Sequence, residues 1–72
     1  MISENVRRIR KNKDLSQDKL AKIAGITLTT LVKIEAGTND NPTIKTLKKT
    51  AHALEVTVND LLVEESEKPD SR

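Results

Sequence analysis

At 72 residues the chain has room for one small domain, whose core supplies only about 3–5 kcal/mol of net stability, and with no cysteine and one histidine it excludes disulfides and a structural zinc. No Phe, Tyr or Trp is present, which excludes the stacking platforms of single-strand and RNA-binding modules, so any nucleic acid bound should be a duplex. The net charge of +2 conceals a division: residues 1–49 carry 11 Lys/Arg against 5 Asp/Glu, a balance of +6, whereas residues 50–72 carry 2 against 6, a balance of −4.

From Ser3 to Lys13 the apolar Val6 and Ile9, with Ile2 one turn earlier, stand among charged and polar residues, the spacing of a helix with a narrow buried stripe. In "LSQDKLAKIAG", Ser16 is placed to cap a second helix and Asp18 sits favourably against its dipole. Leu20, Ala21, Ile23 and Ala24 are its expected inward face, and Gly25 ends it in a left-handed conformation.

The stretch "KIAGITLTTLVKIEAG" is ambiguous by composition, since Ile26, Thr27, Thr29, Thr30, Val32 and Ile34 favour extended backbone. Register decides it. A strand would put Leu31 and Ile34 on opposite faces, whereas a helix from Thr27 to Ala36 stacks them on one. Thr27 serves as its cap and Gly37 lies just past its end. Only Ile26 separates Gly25 from Thr27, so the two helices meet steeply, as a helix-turn-helix.

"GTNDNP" reads as a polar turn before a fourth helix, capped by Thr43 after Pro42, in which Ile44, Leu47, Ala51 and Leu54 recur at helical steps. "EVTVNDLLV" reads as a short closing helix capped by Thr57, with Val58, Leu61 and Leu62 packing back. Residues 64–72, "EESEKPDSR", contain no apolar side chain and are expected to be a disordered acidic tail after a domain spanning 1–63. The expected fold is all-α, a compact five-helix bundle, with a core of Val6, Ile9, Leu15, Leu20, Ala21, Ala24, Leu31, Ile34, Leu47, Ala51, Leu54 and Leu61. Each helix has about ten residues, too few to be stable alone, so the bundle must fold cooperatively. The apolar runs are short and no hydrophobic stretch follows the first charges, so neither a signal peptide nor a membrane span is expected, and the cytoplasm is the expected location.

Opposite Leu31 and Ile34, the third helix carries Leu28, Thr29, Val32, Lys33 and Ala36. Leu28 and Val32 are apolar, one turn apart and outside the core stripe, which points to a covering partner. In a DNA major groove, Leu28 and the Thr29 methyl can meet thymine methyls, while the Thr29 hydroxyl and Lys33 reach base edges or phosphates. The same side chains would equally serve a protein-interaction adaptor. Around the first helix, Arg7, Arg8, Lys11 and Lys13 offer charge to phosphates or to solvent. His52 stands among Lys45, Lys48 and Lys49 with no triad around it, so neither catalysis nor a metal, cofactor or small-molecule site is expected.

"LSQDKLAKIAGITLTTLVKIEAG", with upstream "RRIRKNKD" and downstream "NPTIKTLKKTAHALEVTVNDLL", resembles the Cro-like helix-turn-helix family, in particular the five-helix amino-terminal domains of lambdoid phage repressors. The resemblance covers about residues 2–63. It implies a cytoplasmic, sequence-specific regulator of transcription on double-stranded DNA, most simply a repressor dimer on a two-fold operator. An antitoxin or restriction-modification controller would share the fold. The resemblance also implies that Gln17 bonds a phosphate and braces the recognition helix, that Leu28, Thr29 and Lys33 read bases, and that Thr27 donates to phosphate as well as capping. Arg10 and Glu35 fall where similar repressors bury an ion pair between the first and third helices. The loop "GTNDNPT" departs from the pattern, with Thr38, Asp40 and Thr43 in place of basic groups, so Asn39, Asn41 and loop backbone amides are the expected substitutes, with Lys45 and Lys48 adding charge nearby. Val56 and Val58 are candidate dimer contacts, with monomer core as their alternative role.

Overall fold

A computed structural model describes residues 2–39 and 41–63; Asp40 and the expected tail at 64–72 lie outside the described residues. The described residues form five helices and no strand: α1 Ile2–Asn12, α2 Gln17–Ala24, α3 Leu28–Ala36, α4 Ile44–Leu54 and α5 Val58–Leu62. α1 packs on α3 and α5, α2 on α3 and α4, and α4 on α5, so the helices enclose a single core.

Local chemistry sets each boundary. The hydroxyls of Ser16, Thr27, Thr43 and Thr57 accept from the backbone N–H three residues on, so four of the five helices begin on a side-chain cap. At α5 the cap is reciprocal, because the Asp60 carboxylate also accepts from the Thr57 N–H at 3.0 Å. Between α2 and α3, Gly25 adopts φ 72°, and its N–H returns to the carbonyls of Ala21 and Lys22. That left-handed residue lets the chain reverse within Gly25, Ile26 and Thr27. Two other left-handed positions, Asp14 at φ 59° and Glu55 at φ 62°, are not glycine and carried no recognisable signal in the sequence.

The core holds Val6, Leu20, Leu31, Leu54 and Leu61 with no exposed surface, and Ile9, Ala21, Ala24, Ile34, Leu47 and Ala51 nearly so. Leu15 differs from expectation, being only partly buried against this cluster. Three further apolar side chains expected to face inward are exposed: Ile23 at 51%, Ile44 at 59% and Leu62 at 46%. Ile23 sits roughly 100° round α2 from the stripe of Leu20, Ala21 and Ala24. Ile44 opens α4, and a helical side chain leans over the turn preceding it, which at a first residue lies beyond the helix. Leu62 is offset from Leu61 by one residue in a five-residue helix, so only one of the pair can point inward.

Asn5 is also buried, 2% exposed, with its amide donating to the carbonyls of Leu61 at 2.9 Å and Val63 at 2.7 Å. These bonds satisfy carbonyls at the end of α5 that its own short ladder leaves open.

Leu54→Ala should lose about 2–5 kcal/mol, comparable with the whole stability of a domain this size, and leave the chain largely unfolded at 25 °C. Ile23→Ala should shift stability by no more than about 0.5 kcal/mol, being a surface substitution. Urea titrations followed by far-ultraviolet circular dichroism measure both.

Candidate nucleic-acid interface

α3 is fixed at its start by Thr27, which accepts from the Thr30 N–H at 3.1 Å and donates its own proton to the Thr30 hydroxyl at 2.8 Å. The Thr27 hydroxyl is therefore engaged within the chain on both its donor and its acceptor side. At the other end Gly37 terminates the helix, and the Lys33 carbonyl collects the N–H groups of Thr38 and Asn39 and the Thr38 hydroxyl. Leu31, Ile34 and Glu35 face inward. Thr29 and Lys33 face solvent, and Leu28 and Val32 occupy the shoulder of the helix at 43% and 40% exposure. The result is a surface strip that alternates methyl groups with one hydroxyl and one ammonium.

What orients this strip is a polar cluster under the helix. The Glu35 side chain, 3% exposed, accepts from Arg10 Nε at 2.7 Å and Nη2 at 3.0 Å, a two-pronged pair between α3 and α1. Gln17 Nε2, at the first residue of α2, adds a third bond at 3.1 Å. Arg10 Nη1 donates to the Leu15 carbonyl at 2.7 Å, and Arg7 Nη1 donates to the Glu35 carbonyl at 2.9 Å. The Glu35 carboxylate thus holds α1, α2 and α3 in fixed relation, and Arg10 ties in the turn after α1. Every buried side-chain polar atom among the described residues has a partner. An open cleft of about 330 Å³ beside the cluster is lined by Arg7, Arg10, Lys11 and Gln17 facing Val32, Glu35 and Ala36 of α3. With the Glu35 carboxylate paired to Arg10, the charges that remain in that lining, Arg7 and Lys11, are both cationic.

The structure brings Arg7, Arg10, Gln17 and Glu35 together beside α3, and leaves other candidates apart from this cluster. Asn41 and Lys45 are exposed at the start of α4, and Asn39 is half-buried at the end of the α3 turn. Val56 and Val58 are half-buried against the core, near the exposed Leu62. Lys13 pairs with Glu55 at 3.3 Å and Lys22 with Asp18 at 3.6 Å, so part of the basic charge is matched locally. His52 is exposed, and among the described residues no group of His, Asp or Glu is arranged to hold a metal ion. Asn5, which links α1 to the end of α5 and accepts from Arg8 Nη2 at 3.3 Å, has no local sequence signature.

Breaking the buried pair from one side leaves an uncompensated charge: Arg10→Ala should destabilise by about 3–5 kcal/mol, whereas the double replacement Arg10→Met with Glu35→Leu should recover most of that loss. Denaturant titration of the three proteins measures the difference.

The helix-turn-helix family model matches residues 6–61. The transcriptional regulator SinR of Bacillus licheniformis is 37% identical over 67 residues, an alignment that takes in 93% of this chain and 60% of that protein. The chain thus spans about three fifths of the length of that curated relative. The N-terminal DNA-binding domain of SinR from Bacillus subtilis superposes with a TM-score of 0.87 at 37% identity, covering 93% of this chain and 97% of that one. A crystal structure of SinR in complex with DNA superposes with a TM-score of 0.85 at 36% identity, covering 88% and 100%. The match to residues 6–61, on a bundle whose second and third helices meet at Gly25, establishes that this chain belongs to the Cro/C1-type helix-turn-helix family.

Proposed function

We propose that the chain is the DNA-binding part of a transcriptional regulator, laying α3 in the major groove of double-stranded DNA. The observation that carries this reading is the outward strip of α3: Leu28 and Val32 stay about two fifths exposed beside the solvent-facing Thr29 and Lys33, in a helix otherwise locked to the core. The same fold in SinR is known in complex with DNA, which supports the reading. Leu28, Thr29 and Lys33 contact base edges, the apolar and methyl groups meeting thymine C5-methyls. Gln17, Arg7, Asn39, Asn41 and Lys45 line up phosphates on either side, while Thr27, expected to donate to phosphate as well, gives its one hydroxyl proton to Thr30 and acts as the cap of α3. Arg10 and Glu35 touch no base; they orient the helix that does.

Residues 1–63 form the binding unit in this reading, and the protein acts in the cytoplasm as a repressor without enzymatic activity, cofactor or metal. Two copies on half-sites one helical turn apart reach useful affinity, with Val56 and Val58 at the contact between them. No helix among the described residues is long and apolar enough to cross a membrane.

With about five phosphates neutralised per monomer, a fourfold rise in salt should weaken duplex binding by nearly three orders of magnitude for each bound copy. Flat binding across that range, or none, would reject the reading in favour of a protein-interaction surface. No Arg, Asn or Gln follows Thr27 on α3, so discrimination should be modest. A selection from random duplexes should therefore return half-sites containing A·T pairs, and Lys33→Ala should weaken and Leu28→Ala relax the preference. Recovery of G·C-rich sites contradicts the assignment of the methyl contacts.

A further inference from the structure

α4 carries charge against its own dipole. In α1, α2 and α5 an acid occupies the first turn, where the dipole favours it, whereas the first turn of α4 has no acid and holds Lys45. Lys48 and Lys49 follow three and four residues later, the spacings at which like charges on a helix repel. α4 packs its buried side on α2 and α5, which leaves Lys45, Lys48, Lys49 and His52 on one exposed arc of about 100°, bordered by Ile44. None of the four side chains has a hydrogen bond or ion pair to a described residue, whereas Lys13 and Lys22 are matched by carboxylates. The repulsion is a cost within the bundle that a polyanion lying along the arc would remove.

Between Lys33 and Lys45 the sequence has no cation, so the segment joining α3 to α4 offers none to a phosphate. The charge resumes on α4 itself, at Lys45, which the duplex-binding reading already sets against the DNA backbone. Lys45 and Lys49 are about 6 Å apart along the helix axis, and their flexible four-carbon stems let each ammonium follow its own phosphate. We propose that Lys48 and Lys49 continue the contact assigned to Lys45, so that the outer face of α4 forms a second cationic edge along the backbone of duplex DNA, beside the half-site read by α3. The inference rests on the duplex-binding reading and adds to it a contact that is blind to sequence. An acidic protein would suit the same charges, but continuity with Asn41 and Lys45 at the edge of the interface favours the duplex.

The test compares the full 72-residue chain with a variant carrying Lys48→Gln and Lys49→Gln, and with a control carrying Lys19→Gln and Lys22→Gln, which removes the same charge from the exposed side of α2. Far-ultraviolet circular dichroism checks that all three are folded. Binding is measured from about 50 to 200 mM salt on a duplex recovered by selection and on an unrelated duplex of the same length. For each bound copy, the slope of log affinity against log salt should fall by about 0.9 per lysine removed from α4, so the deficit of the variant shrinks roughly tenfold across that range. Affinity for the two duplexes should drop by the same factor, leaving their ratio unchanged, and the control should keep the slope of the parent chain. An unchanged slope in the α4 variant overturns the proposal and leaves the face to an acidic protein or to solvent. Equal losses in variant and control overturn it too, since net charge would explain both, and an altered ratio does so by placing the lysines on base edges. If the parent chain shows no salt-dependent duplex binding, the DNA-binding reading itself fails and the proposal falls with it.

Discussion

The Glu35 carboxylate is the constraint on which the surface of this protein depends. It is nearly sealed from solvent, and an ionised carboxylate in that setting is tolerated only with its lone pairs engaged. Arg10 supplies a two-pronged pair and Gln17 a further bond, and each comes from a different helix. Satisfying one buried charge therefore fixes three helices relative to one another. A pair of this kind adds little net stability compared with an apolar substitute; its effect is to make one arrangement of α1, α2 and α3 much better than its neighbours.

That rigidity explains how a helix of poor intrinsic propensity can present a defined surface. α3 contains two β-branched threonines, a valine and an isoleucine, and it would not hold as an isolated nine-residue helix. Packing of Leu31 and Ile34 supplies the missing stabilisation on one side, and the Glu35 cluster fixes the azimuth about the helix axis. The outward residues are then free to be chosen for what they touch. The alternation of methyl, hydroxyl and ammonium along Leu28, Thr29, Val32 and Lys33 is a surface suited to thymine methyls and acceptor edges in a groove.

Charge follows the same division of labour. Several cations are matched inside the molecule, as Lys13 is by Glu55 and Lys22 by Asp18, while Arg7 and Lys11 flank the cleft next to α3. A phosphate backbone lying along that edge would meet charge positioned by helices, not by mobile loops. Asn5 extends the same framework to the opposite end of the chain, tying α1 to the end of α5 through two carbonyls. The bundle is consequently closed on itself, with its first helix bonded to its last.

The sequence alone determined the number, order and type of the helices among the described residues, because those features are local: a hydroxyl before the apolar stripes of α2 to α5, glycine at the α2–α3 reversal and after α3, and a register that stacks Leu31 on Ile34. It also determined that no stacking chemistry is available, since composition needs no geometry. Tertiary structure alone decided which flanking apolar residues face out. Ile23, Ile44 and Leu62 fit a helical spacing as well as their buried neighbours do, and only the position of the adjoining helix separates the two. It alone decided that Asn5 is buried and that Asp14 and Glu55 adopt left-handed turns. A side chain bonded to carbonyls 56 and 58 residues away leaves no trace in its own neighbourhood, since the partner is chosen by how the chain closes and not by what adjoins it.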